Sequence, residues 1–342
     1  MLAVWIKFIV CTLIILWSGV KLAKYGDVIA EKTGISKLFI GTIVLAMITS
    51  LPELSSGISA VTSLKIPDLA VANVVGSCLI NLLAIAFLDF VYNKKGKGPI
   101  LGEAGFGHVL AAGLSILLLS LCLAGILSSL LLVPISLWVV SFYSVAIFLV
   151  YILCERLICR FEGRECDRFL EKKIQKTEKQ EFEKNTAASA YTKFLLLAIL
   201  VAAASSYLPA IAREMAIAYN LSYTFSGSVF MSLACSLPEI AVAFSAMMIG
   251  SIDMAIASLI GSNIFNIAAI FFFDFFYGEA PIFSQLSLSN AFICAMAIFM
   301  TAIAIMGLIY RSHKGVERKI RWDAIGLVVA YLFAMLILYK IN

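Results

Sequence analysis

The sequence predicts an all-α integral membrane protein in which ten transmembrane helices form two inverted five-helix repeats. Of its 342 residues 62% are hydrophobic and 14% charged, with a mean hydropathy of +1.01. That composition excludes a water-soluble globular monomer. Apolar stretches near the ~20 residues that a helix needs to cross hydrocarbon recur along the whole chain. An internal repeat is the third observation: aligned without gaps, residues 67–90 and 252–275 agree at 11 of 24 positions, among them Asp68/Asp253, Gly76/Gly261, Ser77/Ser262, Asn81/Asn266 and Asp89/Asp274.

The first span is drawn at 3–20. Lys7 interrupts it and no small-residue cleavage site precedes Lys21, so it reads as a helix and not as a secretory signal. The second, 37–63, contains Ser50-Leu51-Pro52-Glu53. It is expected to be broken, because the Pro52 ring removes a helical N–H and displaces the carbonyl four residues earlier, at Ile48. Spans three to five are drawn at 69–91, 108–127 and 130–153, with Asp68 standing as an N-cap before the third. Residues 154–190 carry nine basic and eight acidic side chains and read as a solvated cytoplasmic linker with room for some helix.

The second half has spans at 191–212, 224–250, 254–277, 288–310 and 323–341. The second of these carries Ser236-Leu237-Pro238-Glu239, with the Ala234 carbonyl displaced by Pro238, and Asp253 caps the next. The domains are thus residues 1–153, with the duplicated region at about 41–90, the linker 154–190, and residues 191–342, with the duplicated region at about 227–275. Five spans per half is an odd number, so the second copy enters the bilayer upside down. Many secondary transporters share this architecture, with substrate bound near the midplane between the halves.

Of 26 basic residues 22 fall in or beside alternate loops; the others are Lys7, Lys65, Arg213 and Lys340. By the positive-inside rule those loops face the cytoplasm and both termini face outward, which describes a multi-pass protein of the plasma membrane. The net charge of +5 is then a topology signal and implies no nucleic-acid partner. The expected partners are membrane lipid and small inorganic cations; the sequence leaves the oligomeric state open, a monomer being plausible. Of the eight cysteines, five (Cys11, Cys78, Cys122, Cys235, Cys294) lie in apolar spans as small packing residues. Cys154, Cys159 and Cys166 lie near the cytoplasmic loop and lack a fourth zinc ligand at a recognisable spacing.

Glu53 and Glu239 stand out because a carboxylate at mid-membrane is disfavoured by about 3 kcal/mol on insertion scales, and here it occurs twice at matched positions. Neither has a lysine or arginine partner within the apolar spans. Thr49 and Ser50 precede Glu53 by four and three residues and share its helix face. Asn73, Ser77 and Asn81 form a polar stripe on the next span, mirrored by Ser258, Ser262 and Asn266. If the halves pack about a pseudo-two-fold axis, the stripes converge on an oxygen-rich cage with two negative charges, a donor set suited to hard cations. The same serines and asparagines also serve as helix-packing groups in membranes. Gly57, Ser56, Ala60, Ala243 and Ala246 read as close-packing surfaces, and Asp89 and Asp274 as residues that reach headgroups or give ions access.

Each half resembles the repeat of the cation/calcium antiporter superfamily, the sodium/calcium exchangers in their prokaryotic form. The family hallmark is Gly-Thr-Ser-Leu/Ala-Pro-Glu followed by Gly-Ser-Asn-Ile-Phe-Asn. Here the copies read Ile48-Thr49-Ser50-Leu51-Pro52-Glu53 with Gly76-Ser77-Cys78-Leu79-Ile80-Asn81, and Ala234-Cys235-Ser236-Leu237-Pro238-Glu239 with Gly261-Ser262-Asn263-Ile264-Phe265-Asn266. The resemblance implies exchange of calcium for sodium by alternating access, with no cofactor. It makes Glu53 and Glu239 the central ligands, joined by Thr49, Ser50, Ser236, Ser77, Asn81, Ser262 and Asn266, with backbone carbonyls near Ala46 and Ser232 completing sodium sites. Three positions depart from the pattern: Ile48 and Ala234 replace glycine, Cys235 replaces threonine, and Asn266 stands where some members carry aspartate, leaving two carboxylates and not three. The alternatives are a proton/calcium or potassium-dependent antiporter and, in another class, a cation channel with a glutamate ring. An intramembrane enzyme is disfavoured, since no His-Glu-x-x-His occurs and His108 and His313 lie near span ends.

Overall fold

The computed structural model describes residues 2–33, 45–93, 100–105, 107–131, 136–137, 139–170, 187–248, 250–310 and 322–341. The first half comprises α1 (Leu2–Thr33), α2 (Leu45–Thr49), α3 (Leu51–Ser59) ending in a π-helical turn (Ala60–Leu64), α4 (Pro67–Asn93), the short α5 (Ile100–Glu103) and α6 (Gly107–Leu131). A two-residue ladder pairs β1 (Ser136–Leu137) with β2 (Val140–Ser141) before α7 (Phe142–Leu170). The second half comprises α8 (Ala187–Ser206), α9 (Leu208–Tyr219), α10 (Tyr223–Ser226), a π-helical turn (Gly227–Met231), α11 (Ser232–Met248), α12 (Ile252–Tyr277), α13 (Leu288–Ile309) and α14 (Trp322–Ile341).

Among the described residues eight helical spans are long and apolar enough to cross a membrane. They cover eight of the ten expected positions. The second expected span begins on residues outside the described set, and its described part is divided among α2, α3 and a π turn. The fifth is displaced: the helix starts at Phe142 and not near residue 130, because the β1–β2 ladder intervenes, and it continues to Leu170. The first part of the charged segment 154–190 is therefore helix, as its arginines, glutamates and leucines favour; residues 171–186 lie outside the described set.

Two helices form the centre. In the most apolar windows of α4 and α12, 78% and 83% of residues are buried, against 28% for α1, for the Tyr191–Tyr219 span and for α14. These peripheral helices turn large side chains such as Leu13, Trp17, Leu196 and Phe333 outward, where lipid tails are the natural solvent. Helices α3 and α11 lie against α4 and α12, while α1 packs on α8 and α11.

The repeat-matched aspartates hold this arrangement together, in a way the sequence reading did not anticipate. Asp68 and Asp253 do not cap their own helices; each lies inside the first turn, and the N-cap of α12 is Ser251. The Asp68 carboxylate accepts from the Ser287 N–H at 2.8 Å and from Asn290 Nδ2 at 2.6 Å, at the start of α13. The Asp253 carboxylate accepts from the Gly105 N–H at 2.6 Å and contacts His108 Nε2 at 3.0 Å, at the start of α6. Each half thus places an anion at a helix N-terminus of the other half, where it meets unpaired N–H groups and the positive end of the dipole.

Asp89 and Asp274 are buried, which removes them from the headgroup region. Asp89 accepts from the Ile100 N–H at 2.7 Å. Asp274 accepts from the N–H groups of Ile282 and Ser141, each at 2.7 Å, and from the Ser144 hydroxyl. Both carboxylates pin the segment that follows their helix. Four residues after Asp274, Gly278 closes α12 in the left-handed conformation (φ 64°), which glycine adopts without steric cost.

Replacing Asp274 with alanine orphans two buried N–H groups and a hydroxyl, each costing about 1–3 kcal/mol. Asp274→Ala is expected to lower stability by about 3 kcal/mol or more, measurable as a fall in melting temperature of the detergent-solubilised protein. Loss of the more exposed Asp253 carboxylate should cost less.

Candidate cation-binding site

Glu53 on α3 and Glu239 on α11 meet at the centre of the bundle, both fully buried. Their hydrogen bonds are crossed. Ser236 Oγ, three residues before Glu239, donates to Glu53 Oε1 at 3.1 Å, and Ser50 Oγ, three residues before Glu53, donates to Glu239 Oε1 at 3.0 Å. Ser77 Oγ on α4 also donates to Glu53 Oε1, at 3.2 Å, and the Thr49 hydroxyl bonds Glu239. Three-residue spacing on a helix places serine and glutamate on one face, so each proline-linked tetrapeptide presents both groups toward the other half.

The local backbone differs between the copies. In the first, α2 stops at Thr49 and α3 restarts after Ser50 (φ −86°, ψ 10°), with Pro52 in the new first turn, where its missing N–H costs nothing. A break is expected in the second copy too, but α11 runs unbroken through Pro238, and the irregularity lies upstream at Gly227–Met231. The ring of Pro238 rests against α1 at Gly19, where even a Cβ would lie 2.7 Å from the proline side chain.

The remaining predicted residues divide into those already engaged and those left open. Asn81 Nδ2 donates to Asn263 Oδ1 at 3.0 Å, turning the Asn81 carbonyl oxygen free. Among the predicted site residues the buried polar atoms without a hydrogen-bond partner are Glu53 Oε2, Glu239 Oε2, Asn81 Oδ1, Ser262 Oγ and both polar atoms of Asn266; Asn73 Oδ1 on the first polar stripe, and Thr12 Oγ1, Ser115 Oγ and Asn290 Oδ1 elsewhere, are unpaired as well. Buried oxygens in native proteins are nearly always satisfied, so the open Oε2 atoms of the two serine-linked glutamates leave room for a ligand. Ala46 lies in α2, and Ser232 opens α11 with its hydroxyl bonded to the Ser228 carbonyl. Ser258 bonds its own helix at the Ala255 carbonyl.

Two residues near the site, Asn263 and Ser56, were not assigned to it from the sequence. Asn263 occupies the place that matches Cys78 in the first copy and orients Asn81. Ser56 donates to the Glu53 carbonyl at 3.1 Å and accepts from Asn73 Nδ2 at 3.0 Å, bracing α3 against α4. The polar stripe placed Asn73 on the right face, but its partner lies on another span, which spacing alone cannot reveal. Cys235 puts its thiol 3.5 Å from Ser56 Oγ, whereas its repeat mate Thr49 bonds a glutamate.

Small residues make the approach possible. A Cβ at Gly76 would sit 2.5 Å from Ser228 Cα, and one at Gly57 would overlap the Phe273 ring. Helix α4 therefore meets the backbone of the second half at Gly76, and α3 seats against the Phe273 ring at Gly57.

The buried ionisable side chains other than cysteine and tyrosine, among the described residues, are Glu53, Asp89, His108, Glu239, Asp274 and Asp323, with no lysine or arginine. The two glutamates thus share one apolar enclosure with hydroxyl and amide neighbours and no protein cation. Carboxylate, hydroxyl and amide oxygens form a hard donor set, matched to sodium- or calcium-like ions and poorly matched to soft metals.

The sodium/calcium exchanger protein family matches residues 3–155 and 189–340, both halves of the chain. The chain belongs to this family. Sodium/calcium exchanger MaX1 of Methanosarcina acetivorans is 32% identical over 118 residues, 34% of this chain and 31% of that protein. An uncharacterised membrane protein of Methanocaldococcus jannaschii is 22% identical over 98% of both chains. Among solved structures, the sodium-calcium exchanger NCX_Mj superposes with a TM-score of 0.60 at 19% identity, covering 98% of this chain and 99% of its own. The proton/calcium exchanger CAX gives 0.70 at 14% identity, covering 99% and 85%. This exchanger-family protein is thus a membrane transporter of the cation/calcium exchange type, with a fold shared by relatives that differ in counter-ion.

Gly76→Ala is expected to force α4 away from Ser228, at about 1–3 kcal/mol for overpacking. Thermal unfolding should show the loss, and calcium binding measured by isothermal titration should weaken because Ser77 moves with the displaced helix.

Proposed function

We propose that this protein is a secondary antiporter that exchanges calcium for sodium by alternating access, with the ions bound in turn at mid-membrane between Glu53 and Glu239. The observation that carries this reading is a pair of serine-linked buried carboxylates, each with one oxygen unpaired, that have no buried lysine or arginine among the described residues to offset them. A bound cation would supply the missing partner. In this reading Thr49, Ser50, Ser77, Asn81, Ser236, Ser262 and Asn266 complete the ligand set, with backbone carbonyls at Ala46 and Ser232.

Coupling follows from electrostatics. Two ionised carboxylates without a counter-ion are costly in a low-dielectric bundle. An occupied site can pass between the two faces of the membrane and a bare one resists doing so. Calcium and sodium compete for the same oxygens, so each travels when the other is absent. The reading carries with it two inverted five-span halves, both termini on the outside of the plasma membrane, a cytoplasmic segment between the halves, and transport by a single chain.

Protons are the competing counter-ion, and the amide of Asn266 in place of a carboxylate is the observation that keeps them in view, since it withholds one sodium-binding charge. Replacing sodium with choline in proteoliposomes separates the two: sodium-driven calcium uptake should vanish, whereas proton-driven uptake would persist. Glu53→Gln and Glu239→Gln should each abolish gradient-driven calcium-45 uptake while the protein still elutes as a monodisperse species. Full uptake by either variant would refute the assignment.

A further inference from the structure

We infer that Asn73 is a relay ligand through which the transported cation passes between the glutamate site and one face of the membrane. The inference rests on the site assignment above and adds a route to it. Helix α3 leads into α4 through the turn at Lys65 (φ 57°), so residues after Glu53 and residues before Ser77 lie on the same side of the site. Three side chains form a layer there, one helical turn from the site: Ser56, three residues after Glu53; Asn73, four before Ser77; and Cys235, four before Glu239. They touch. Asn73 Nδ2 donates to Ser56 Oγ at 3.0 Å, and Ser56 Oγ lies 3.5 Å from Cys235 Sγ. All three are fully buried.

One atom of this layer is left open. Asn73 Oδ1 is buried without a hydrogen-bond partner, one turn along α4 from the Ser77 hydroxyl that donates to Glu53. A buried amide oxygen in an apolar bundle costs free energy unless something pairs with it. A hard cation in transit is such a partner, because amide and hydroxyl oxygens are its natural ligands. None of the three side chains is charged, and Cys235 offers soft sulfur where its repeat mate Thr49 offers a hydroxyl. The layer therefore holds an ion weakly and lets it go, which passage requires. At 1.5 Å per residue Asn73 stands about 6 Å from Ser77 and about 9 Å from the start of α4 at Pro67, between the site and the face on which α4 begins.

The opposite side of the site is built differently. The repeat mates of Ser56, Cys235 and Asn73 are Val242, a hydrocarbon; Thr49, whose hydroxyl bonds Glu239; and Ser258, whose hydroxyl bonds the Ala255 carbonyl. The relay thus serves one face, and this asymmetry gives the test its handle.

Calcium-45 uptake under an outward sodium gradient is measured in right-side-out and in inverted membrane vesicles. Asn73→Leu keeps the volume and removes the oxygen. It should raise the KM for calcium about fivefold, the worth of one neutral polar contact, in the vesicles that present the face on which α4 begins. In vesicles of the other orientation the KM should stay at the wild-type value, as should the calcium affinity of the detergent-solubilised protein in isothermal titration. Asn73→Asp keeps an oxygen but loses the donor to Ser56, and should give a KM at or below the wild-type value. If Asn73 only braces α3 against α4, leucine and aspartate act alike and both orientations shift together; that result, or no shift at all, would overturn the relay and leave the exchanger reading standing. Wild-type vesicles that take up no calcium under any gradient would remove both. Asn73→Ala carries the same expectation as leucine if the bulkier variant does not assemble.

Discussion

Two carboxylates enclosed between helices, with no buried basic side chain among the described residues to neutralise them, set the terms for the rest of this molecule. Charge in such surroundings persists only where hydrogen bonds and a counter-ion compensate it. The crossed serines provide the hydrogen bonds, at 3.0 and 3.1 Å. Their reach requires α3 and α11 to approach closely, while glycines at 57 and 76 let α3 seat on Phe273 of α12 and α4 on the Ser228 backbone just before α11. The helix interruption at Ser50, the small residues of the interface and the burial of α4 and α12 are all means to this one contact.

The aspartate latches show how the surrounding scaffold is kept in register. Asp68 and Asp253 tie the start of one half's central helix to a helix N-terminus in the other, and Asp89 and Asp274 fasten the segments that leave those helices. The two halves solve the same problem with different partners: an asparagine faces Asp68 and a histidine faces Asp253. Repeat-matched residues can thus keep a shared task while their contacts diverge.

Much of this could be read from the chain. Hydropathy located eight of the ten expected spans, and the doubled Ser-Leu-Pro-Glu singled out the two glutamates and two serines that the structure joins by hydrogen bonds, because three-residue spacing on a helix is a local rule. What could not be read was anything that depended on partners from distant sequence. Asp68 and Asp253 looked like caps of their own helices because an aspartate in a first turn usually serves the nearest N–H groups. Asn263 was overlooked because its role is to orient Asn81, 182 residues away. The unbroken helix through Pro238 was missed because proline predicts a lost hydrogen bond, and only the neighbouring helices decide whether the axis also breaks.

The reciprocal serine bonds bear on how such a chain is made. Ser236 lies 183 residues beyond Glu53. Ribosomal synthesis and membrane insertion run from the N-terminus, so the first half is made with only Ser77 of the two serines that donate to Glu53 in place. Biogenesis therefore includes an interval in which the newly inserted half must be kept hydrated or chaperoned until its mate arrives.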